Sequence, residues 1–289
     1  MRRVILIPAA IAVFVALLSG ICAAEPSSGK INVFVSIIPQ AYFVERIGGD
    51  YIDVEVLVGP GQSPATYEPT PRQMSQLSNS RVYFRIGVPF EKVFIPKIFS
   101  SFRQLRIVDT SEGVPLQYFS QSATKQVADP HIWLDPKRVK IQADTICREL
   151  IRIDPAHADV YRENLKVFQD DLEEVDESIA ESLKTLRGGR IFVFHPAFGY
   201  FAQSYGLEQS AIEVGGKQPS ARQLSDLITR ARDEGVKIIF VQPQYSKRNA
   251  QAIARAIGGA VVPINPLPKD YLQELETMAL VIKNALLDE

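Results

Sequence analysis

Short apolar runs rich in β-branched residues alternate with helical stretches along this chain, and they come in two series. In the first, residues 31–35, 52–58, 81–86 and 106–108 read as strands. Between them, 41–47, 71–78 and 90–98 carry helical spacing or helix-start residues. The second series follows Arg190, with strands at 191–194, 211–214, 236–241 and 260–263. Its helices are expected at 197–205, 220–234, 248–257 and 271–287. Alternation of this type implies βα units feeding mainly parallel sheets, hence an α/β protein.

The two series look like copies. One constant shift carries Tyr42 and Phe43 onto Tyr200 and Phe201, Gly48 onto Gly206, and Val54-Glu55-Val56 onto Ile212-Glu213-Val214. A slightly smaller shift carries Arg72-Gln73 onto Arg222-Gln223, and Leu77 onto Leu227. Each match is weak alone; their shared order points to a duplicated lobe. The difference between the shifts falls in or near the Gly/Pro-rich stretch 59–71, a long loop after a parallel strand, where α/β folds place ligands. Between the copies, residues 156–186 contain neither Pro nor Gly and carry apolar residues at helical spacing. A continuous helix of about 30 residues would span roughly 45 Å. Such a connector is stiff and predicts limited motion between the lobes. The organisation expected is a leader at 1–24, a first α/β lobe at 25–154, a linking helix at 155–187 and a second α/β lobe at 188–289.

Composition narrows the function. Hydrophobic residues make up 46% of the chain, enough for a full core. A formal charge of −1 argues against a nucleic-acid partner, which would call for a basic face. Arg2 and Arg3, an apolar run over 4–18 and the small-residue exit at Ala23 and Ala24 have the form of a secretory signal peptide. The run is shorter than the roughly 20 residues of a membrane helix. Cleavage after Ala24 is expected in preference to a lipid anchor at Cys22, because Ile21 is bulky. Cys147 is then alone, so no intrachain disulfide is expected, and a buried, inert thiol is the reading favoured.

Three histidines remain to be weighed. His157, in the first turn of the long helix, reads as a solvated surface residue. His131 is bracketed by the pairs Asp129-Pro130 and Asp135-Pro136 and lies beside Trp133, the chain's one tryptophan. His195 ends a strand and precedes Pro196 and Ala197. Spacing alone leaves both open between a metal ligand and a satisfied strand-end residue. The motifs HExxH, CxxC, GxSxG, the Walker loop and GxGxxG are all missing. Only folding can bring His131 and His195 together, as zinc sites built from distant segments require.

Several segments together are more specific. The loop 60–71 ends in Tyr67-Glu68-Pro69-Thr70-Pro71. Residues 129–134 read Asp-Pro-His-Ile-Trp-Leu, and 195–201 read His-Pro-Ala-Phe-Gly-Tyr-Phe. With residues 216–220, 240–244 and 263–267, this set resembles the zinc- and manganese-type periplasmic binding proteins of ABC transporters, a cluster that includes adhesin-like metal binders. The resemblance covers nearly the whole chain after the leader. It implies two βα lobes joined by one long helix, with a metal cleft between them. It also implies a periplasmic, monomeric, non-enzymatic protein that captures a divalent transition metal, zinc ahead of Mn2+ or Fe2+, and delivers it to a membrane permease.

Carried over by residue, the resemblance makes His131 and His195 metal ligands. The family's first histidine position is Ala65 here, its late aspartate is Asn265, and residues 117–127 lack the His and acidic residues of many zinc members. Asn265 offers only a neutral oxygen, a weaker donor than a carboxylate. Glu213 is expected to supply the missing charge, as a glutamate does in manganese-type relatives, although Glu55 occupies the matching place in the first copy. Glu68 reads as a brace for its loop. The set expected is His131, His195 and Glu213, with Asn265 or water in the fourth position. Because imidazoles bind metals in neutral form, capture is expected to weaken as pH falls through the histidine range. The alternatives are binding of a metal chelate, an adhesin-like role, or a metalloenzyme with two histidines and one carboxylate.

Overall fold

The computed structural model describes residues 29–119, 127–213, 221–245 and 247–287. The expected leader, the anchor residue Cys22 and residues 216–220 lie outside them. The first lobe runs β1 (Ile31–Ile37), α1 (Ile38–Gly48), β2 (Ile52–Val58), α2 (Pro71–Ser78), β3 (Val82–Arg85), α3 (Glu91–Ser101) and β4 (Arg106–Asp109). A short antiparallel pair, β5 (Tyr118–Phe119) and β6 (Val127–Ala128), leads into α4 (Pro136–Ile153) and α5 (Ala158–Leu183). The second lobe contains β7 (Arg190–Val193), α6 (Gly199–Ser204), β8 (Glu208–Ala211), α7 (Ala221–Asp233), β9 (Ile238–Val241), α8 (Lys247–Ile257), β10 (Ala260–Pro263) and α9 (Tyr271–Leu287).

Both four-stranded sheets are parallel, in the orders β2-β1-β3-β4 and β10-β9-β7-β8. Numbered within each lobe, these are one order, second-first-third-fourth. The apparent duplication is thus matched by the topology. In each sheet the connections reverse direction between the first and third strands, and the crevice outside their carboxyl ends is where such sheets bind ligands.

Local sequence explains the element ends. Thr70 and Gln73 form a reciprocal capping box at the start of α2, with Pro71 in its first turn. Asp135 caps α4 by accepting a hydrogen bond from the Lys137 amide at 3.0 Å. One of the two Asp-Pro pairs flanking His131 is therefore a helix start. The strand expected at 211–214 is instead β8, Glu208–Ala211, which begins just after the positive-φ turn at Gly206. Its polar sequence is tolerated because β8 is a sheet edge, half-buried along most of its length.

The long helix is α5, 26 residues and about 39 Å, with 3₁₀ turns at Pro155–His157 and Lys184–Leu186 at its ends. His157 is not the solvated residue expected. It stacks on Tyr51 with ring centroids 3.7 Å apart, and its Nδ1 lies 2.7 Å from an Asp154 carboxylate oxygen. Cys147 is buried as expected, its thiol 3.5 Å from the Tyr161 carbonyl and pushed up in pKa by burial.

β7 alternates sides. Ile191 and Val193 join a core that also holds Val33, Phe34 and Phe43 of the first lobe, whereas Phe192 and Phe194 pack into a separate cluster with Ile253 and Ile257 of α8. The larger core thus runs through both lobes. α9, last in sequence, feeds it. Tyr271 meets Phe43 edge-on at 4.8 Å, and its hydroxyl donates to the Trp133 carbonyl at 2.6 Å. Tyr271→Phe keeps the ring packing but orphans that carbonyl. We expect a loss of roughly 1–3 kcal/mol, read as a lower urea midpoint; an unchanged midpoint would show that the bond contributes nothing.

Candidate metal centre

His195 follows β7, at the crevice where the second sheet reverses direction. Its backbone is fixed from the neighbouring strand. The fully buried Gln242, just past β9, accepts from the His195 amide at 3.2 Å and donates to its carbonyl at 2.8 Å. One side-chain amide thereby satisfies both backbone groups of a residue that has left the strand ladder.

Glu213 is placed by pairing that continues beyond β8. The Ile212 and Glu213 amides donate to the Val193 and Phe194 carbonyls at 2.9 and 2.8 Å. The carboxylate, 4% exposed, then lies 2.7 Å from Nδ1 of His195. His131 is set the same way. Asp129 Oδ1 accepts from the His131 amide at 3.0 Å and meets its Nδ1 at 2.6 Å. Asp129 is held in turn, for the Tyr200 hydroxyl donates to its carbonyl at 2.8 Å. Burial raises the Tyr200 phenol to a pKa of about 12, so it stays a donor. A Cβ on Gly199 would sit 3.1 Å from Asp129 Oδ2 and 3.2 Å from Gln117 Oε1, so this approach favours glycine.

The fold thus brings together two imidazoles that are remote in sequence. Their ring centroids are 5.2 Å apart and the planes meet at 74°. A carboxylate can only accept, so each Nδ1 carries the hydrogen and each Nε2 keeps its lone pair free. Burial pulls the His195 imidazole below its ordinary pKa, and nearby His131 adds to this; the hydrogen bond to Glu213 opposes it. The neutral, ligating form is favoured.

The other expected residues lie differently. Glu213 Oε2 faces the Nδ1 edge of His195, opposite the nitrogen available to an ion. In this arrangement Glu213 Oε2 orients the His195 ring. Asn265 Oδ1 accepts from the Leu267 amide at 3.1 Å and from Gln244 at 3.4 Å, shaping its own turn. Ala65 and Glu68 are exposed on the loop. Glu55, the counterpart of Glu213, accepts from Gln76 at 2.7 Å in an exposed position. Among the described residues, no three His, Cys, Asp or Glu side chains are grouped to hold an ion.

Sequence reasoning missed three contributors: Asp129, Gln242 and Tyr245. The Tyr245 ring stacks on His195 at 4.9 Å and 22°. Asp129 was legible as the acid two residues before His131. Gln242 lies in the stretch 240–244 that contributes to the resemblance, but nothing there marks its role, and Tyr245 carries no signal of its own.

Residues 33–285 match the family described as zinc-uptake complex component A, periplasmic. The chain belongs to this family. It is a metal-binding substrate-binding protein of the ABC-transporter type. The chain is 26% identical to the high-affinity zinc uptake system protein ZnuA of Bacillus subtilis, over 84% of this chain and 81% of the relative. It is also 26% identical to the manganese ABC transporter substrate-binding lipoprotein PsaA of Streptococcus pneumoniae, over 86% of both. A crystal structure of ZnuA superposes with a TM-score of 0.84 at 39% identity, over 89% of this chain and 99% of that one. Among the described residues of this binding protein, no helix is long and apolar enough to cross a membrane.

Replacing Glu213 by Gln tests its bracing role. The amide can present a donor to Nδ1 and disturb the tautomer. Metal affinity should fall on the order of 10–100-fold in chelator competition, the usual cost of losing such a brace. Full affinity in Glu213→Gln would remove the carboxylate from the design of the site.

Proposed function

We propose that this protein captures one divalent transition-metal ion, zinc in preference to manganese, outside the cytoplasm and delivers it to the membrane permease of an ABC transporter. One observation carries the reading. Two buried imidazoles share a crevice with ring centroids 5.2 Å apart, and a buried carboxylate occupies each Nδ1. In this reading His131 and His195 bind through Nε2, while Asp129 and Glu213 hold the rings. Asn265 shapes the adjacent turn, and water completes the coordination shell. Two imidazoles suit zinc better than manganese, which prefers carboxylate, carbonyl and water oxygens.

The lobes at 25–154 and 188–289 then flank the ion, with 155–187 as the stiff connector. The leader at 1–24 would direct export, and the protein acts as a monomer. Its cargo leaves unchanged, so stoichiometric binding without turnover is the expected behaviour and an enzymatic role is not proposed. A second reading has one specific support. Because no third acidic, His or Cys donor joins the two histidines among the described residues, an ion arriving with its own chelating ligand would suit the open positions.

Native mass spectrometry of protein purified without chelators distinguishes these. We expect one zinc per chain at most and no turnover; mass beyond that of a bare ion would favour the chelate. His131→Ala and His195→Ala should each weaken zinc binding by more than the roughly 100-fold upper range for loss of a supporting residue. Undiminished zinc occupancy in the double variant would overturn the assignment.

A further inference from the structure

We propose that a cavity at the second carboxylate oxygen of Asp129 binds a small primary alkylammonium ion, and that its occupancy opposes ion capture at the imidazole pair. The binding stands on the cavity alone; the opposition rests on the reading of His131 as an ion ligand.

A cavity of about 350 Å3 opens between the β5–β6 pair and the second lobe. Gln117, Phe119 and Asp129 line it from one side, and Gly199, Ala202 and Leu207 from the other. Asp129 is the one charged residue in the lining, and its side chain is 4% exposed. Its Oδ1 is engaged by the amide and the Nδ1 of His131. Among the described residues no donor is bonded to Oδ2. A Cβ built on Gly199 shows where that oxygen faces, for it would lie 3.1 Å from Oδ2 and 3.2 Å from Gln117 Oε1. Two acceptors thus converge on the glycine wall of the cavity. Gln209 Nε2 comes within 3.5 Å of the same point, but the Phe198 amide donates to Gln209 Oε1 at 2.7 Å and fixes how the group is turned.

The lining selects a ligand chemistry. A buried carboxylate is costly to keep ionised without a cation against it. Among the described residues the ion-pair contact of Asp129 is His131, whose ring is neutral in the form that binds an ion. The cavity therefore wants a positive charge. A primary ammonium carries one, with three N–H donors and no acceptor. Two donors suit Asp129 Oδ2 and Gln117 Oε1, and the third is left to water at the open mouth. A short alkyl stem fits against Ala202, Leu207 and Phe119. A bare Mg2+ or Ca2+ would find one carboxylate and one amide oxygen where it takes about six or more oxygen ligands. An anion is repelled by Asp129, and a neutral alcohol forgoes the charge-assisted bond.

Occupancy reaches the imidazole pair through one side chain. An ammonium on Oδ2 draws charge away from Oδ1, the atom that braces His131 Nδ1. The brace weakens, and a second positive charge stands near the ion. Amine and zinc therefore oppose each other, and the opposition is reciprocal.

The test titrates the metal-free full chain with n-butylammonium, followed by saturation-transfer NMR. Binding should saturate with a millimolar dissociation constant, and the His131 ring resonances should move as it does. Butan-1-ol, which lacks the charge, should bind roughly tenfold more weakly. Gln117→Leu, a change at a partly exposed side chain, should weaken amine binding about three- to tenfold. Gly199→Ala, which fills the wall beside Oδ2, should abolish it. Zinc affinity in saturating butylammonium should fall about fivefold or more. The absence of saturable binding, equal binding of butan-1-ol, unmoved His131 resonances, or full binding in both variants would overturn the proposal. The amine is read without metal, so a wild-type protein that fails to bind zinc would count against the ion-site reading alone.

Discussion

Everything at the candidate centre depends on segment 129–134 being docked against the second lobe. His131 belongs to a stretch that precedes α4 in the chain, while His195 stands in the second sheet. Three hydrogen bonds of 2.6–2.8 Å join them: Tyr200 to the Asp129 carbonyl, Trp133 Nε1 to the Pro266 carbonyl, and Tyr271 to the Trp133 carbonyl. Each donor is an aromatic side chain at most 1% exposed, so its ring packing and its polar bond support the same arrangement. Breaking one would orphan a backbone carbonyl away from water, which costs more than the bond itself contributes. The imidazole pair is therefore a consequence of interlobe packing.

The duplicated lobes use the same crevice in opposite ways. In the first, the space beyond β1 and β3 is filled by the chain itself. Glu91, 1% exposed, accepts from the Ile86 and Gly87 amides at 2.9 and 2.8 Å and from Ser36 at 2.5 Å, and it pairs with Arg85 at 3.2 Å. Burial raises its pKa against the pull of these partners. In the second lobe the equivalent place holds His195, Gln242 and Tyr245. One copy thus carries an internal carboxylate as a structural plug, and the other keeps an imidazole with a free nitrogen. Topology offers the site twice; side chains decide which copy is used.

Much of the fold was legible because its signals are local. The parallel strands 52–58 and 260–263, the capping box at Thr70 and the Pro/Gly-free stretch over α5 can each be read within a few residues. β8 was displaced because Glu208, Gln209 and Ser210 look like loop residues until an edge position explains them. His131 and His195 were legible as candidates, and their meeting is a tertiary fact. Glu213 was legible as an acid in the right place, but its contact with His195 Nδ1 was not. Whether a carboxylate faces Nδ1 or the ion is a difference in ring orientation, which no spacing encodes. Gln242 acts through its own amide geometry and Tyr245 through the face of its ring, so neither role leaves a pattern in the sequence, although Gln242 lies in the stretch 240–244 that contributes to the resemblance.

The same packing limits how this protein can respond to its cargo. α5 is one uninterrupted 26-residue helix, and the principal core includes Phe34 and Phe43 on one side and Val193, Phe201 and Phe240 on the other. Rotating the lobes apart would open that core to water, at about 25 cal/mol for each Å² of apolar surface exposed. Separating only a few such side chains would cost several kcal/mol, comparable to a large part of a typical domain's stability. A ligand shifts an equilibrium only by its differential affinity for the two states. Local rearrangement of side chains and of loop 59–70 is therefore favoured over hinge closure. Selectivity then rests on the donors and their fixed tautomers, because a scaffold this rigid has little closure energy to contribute.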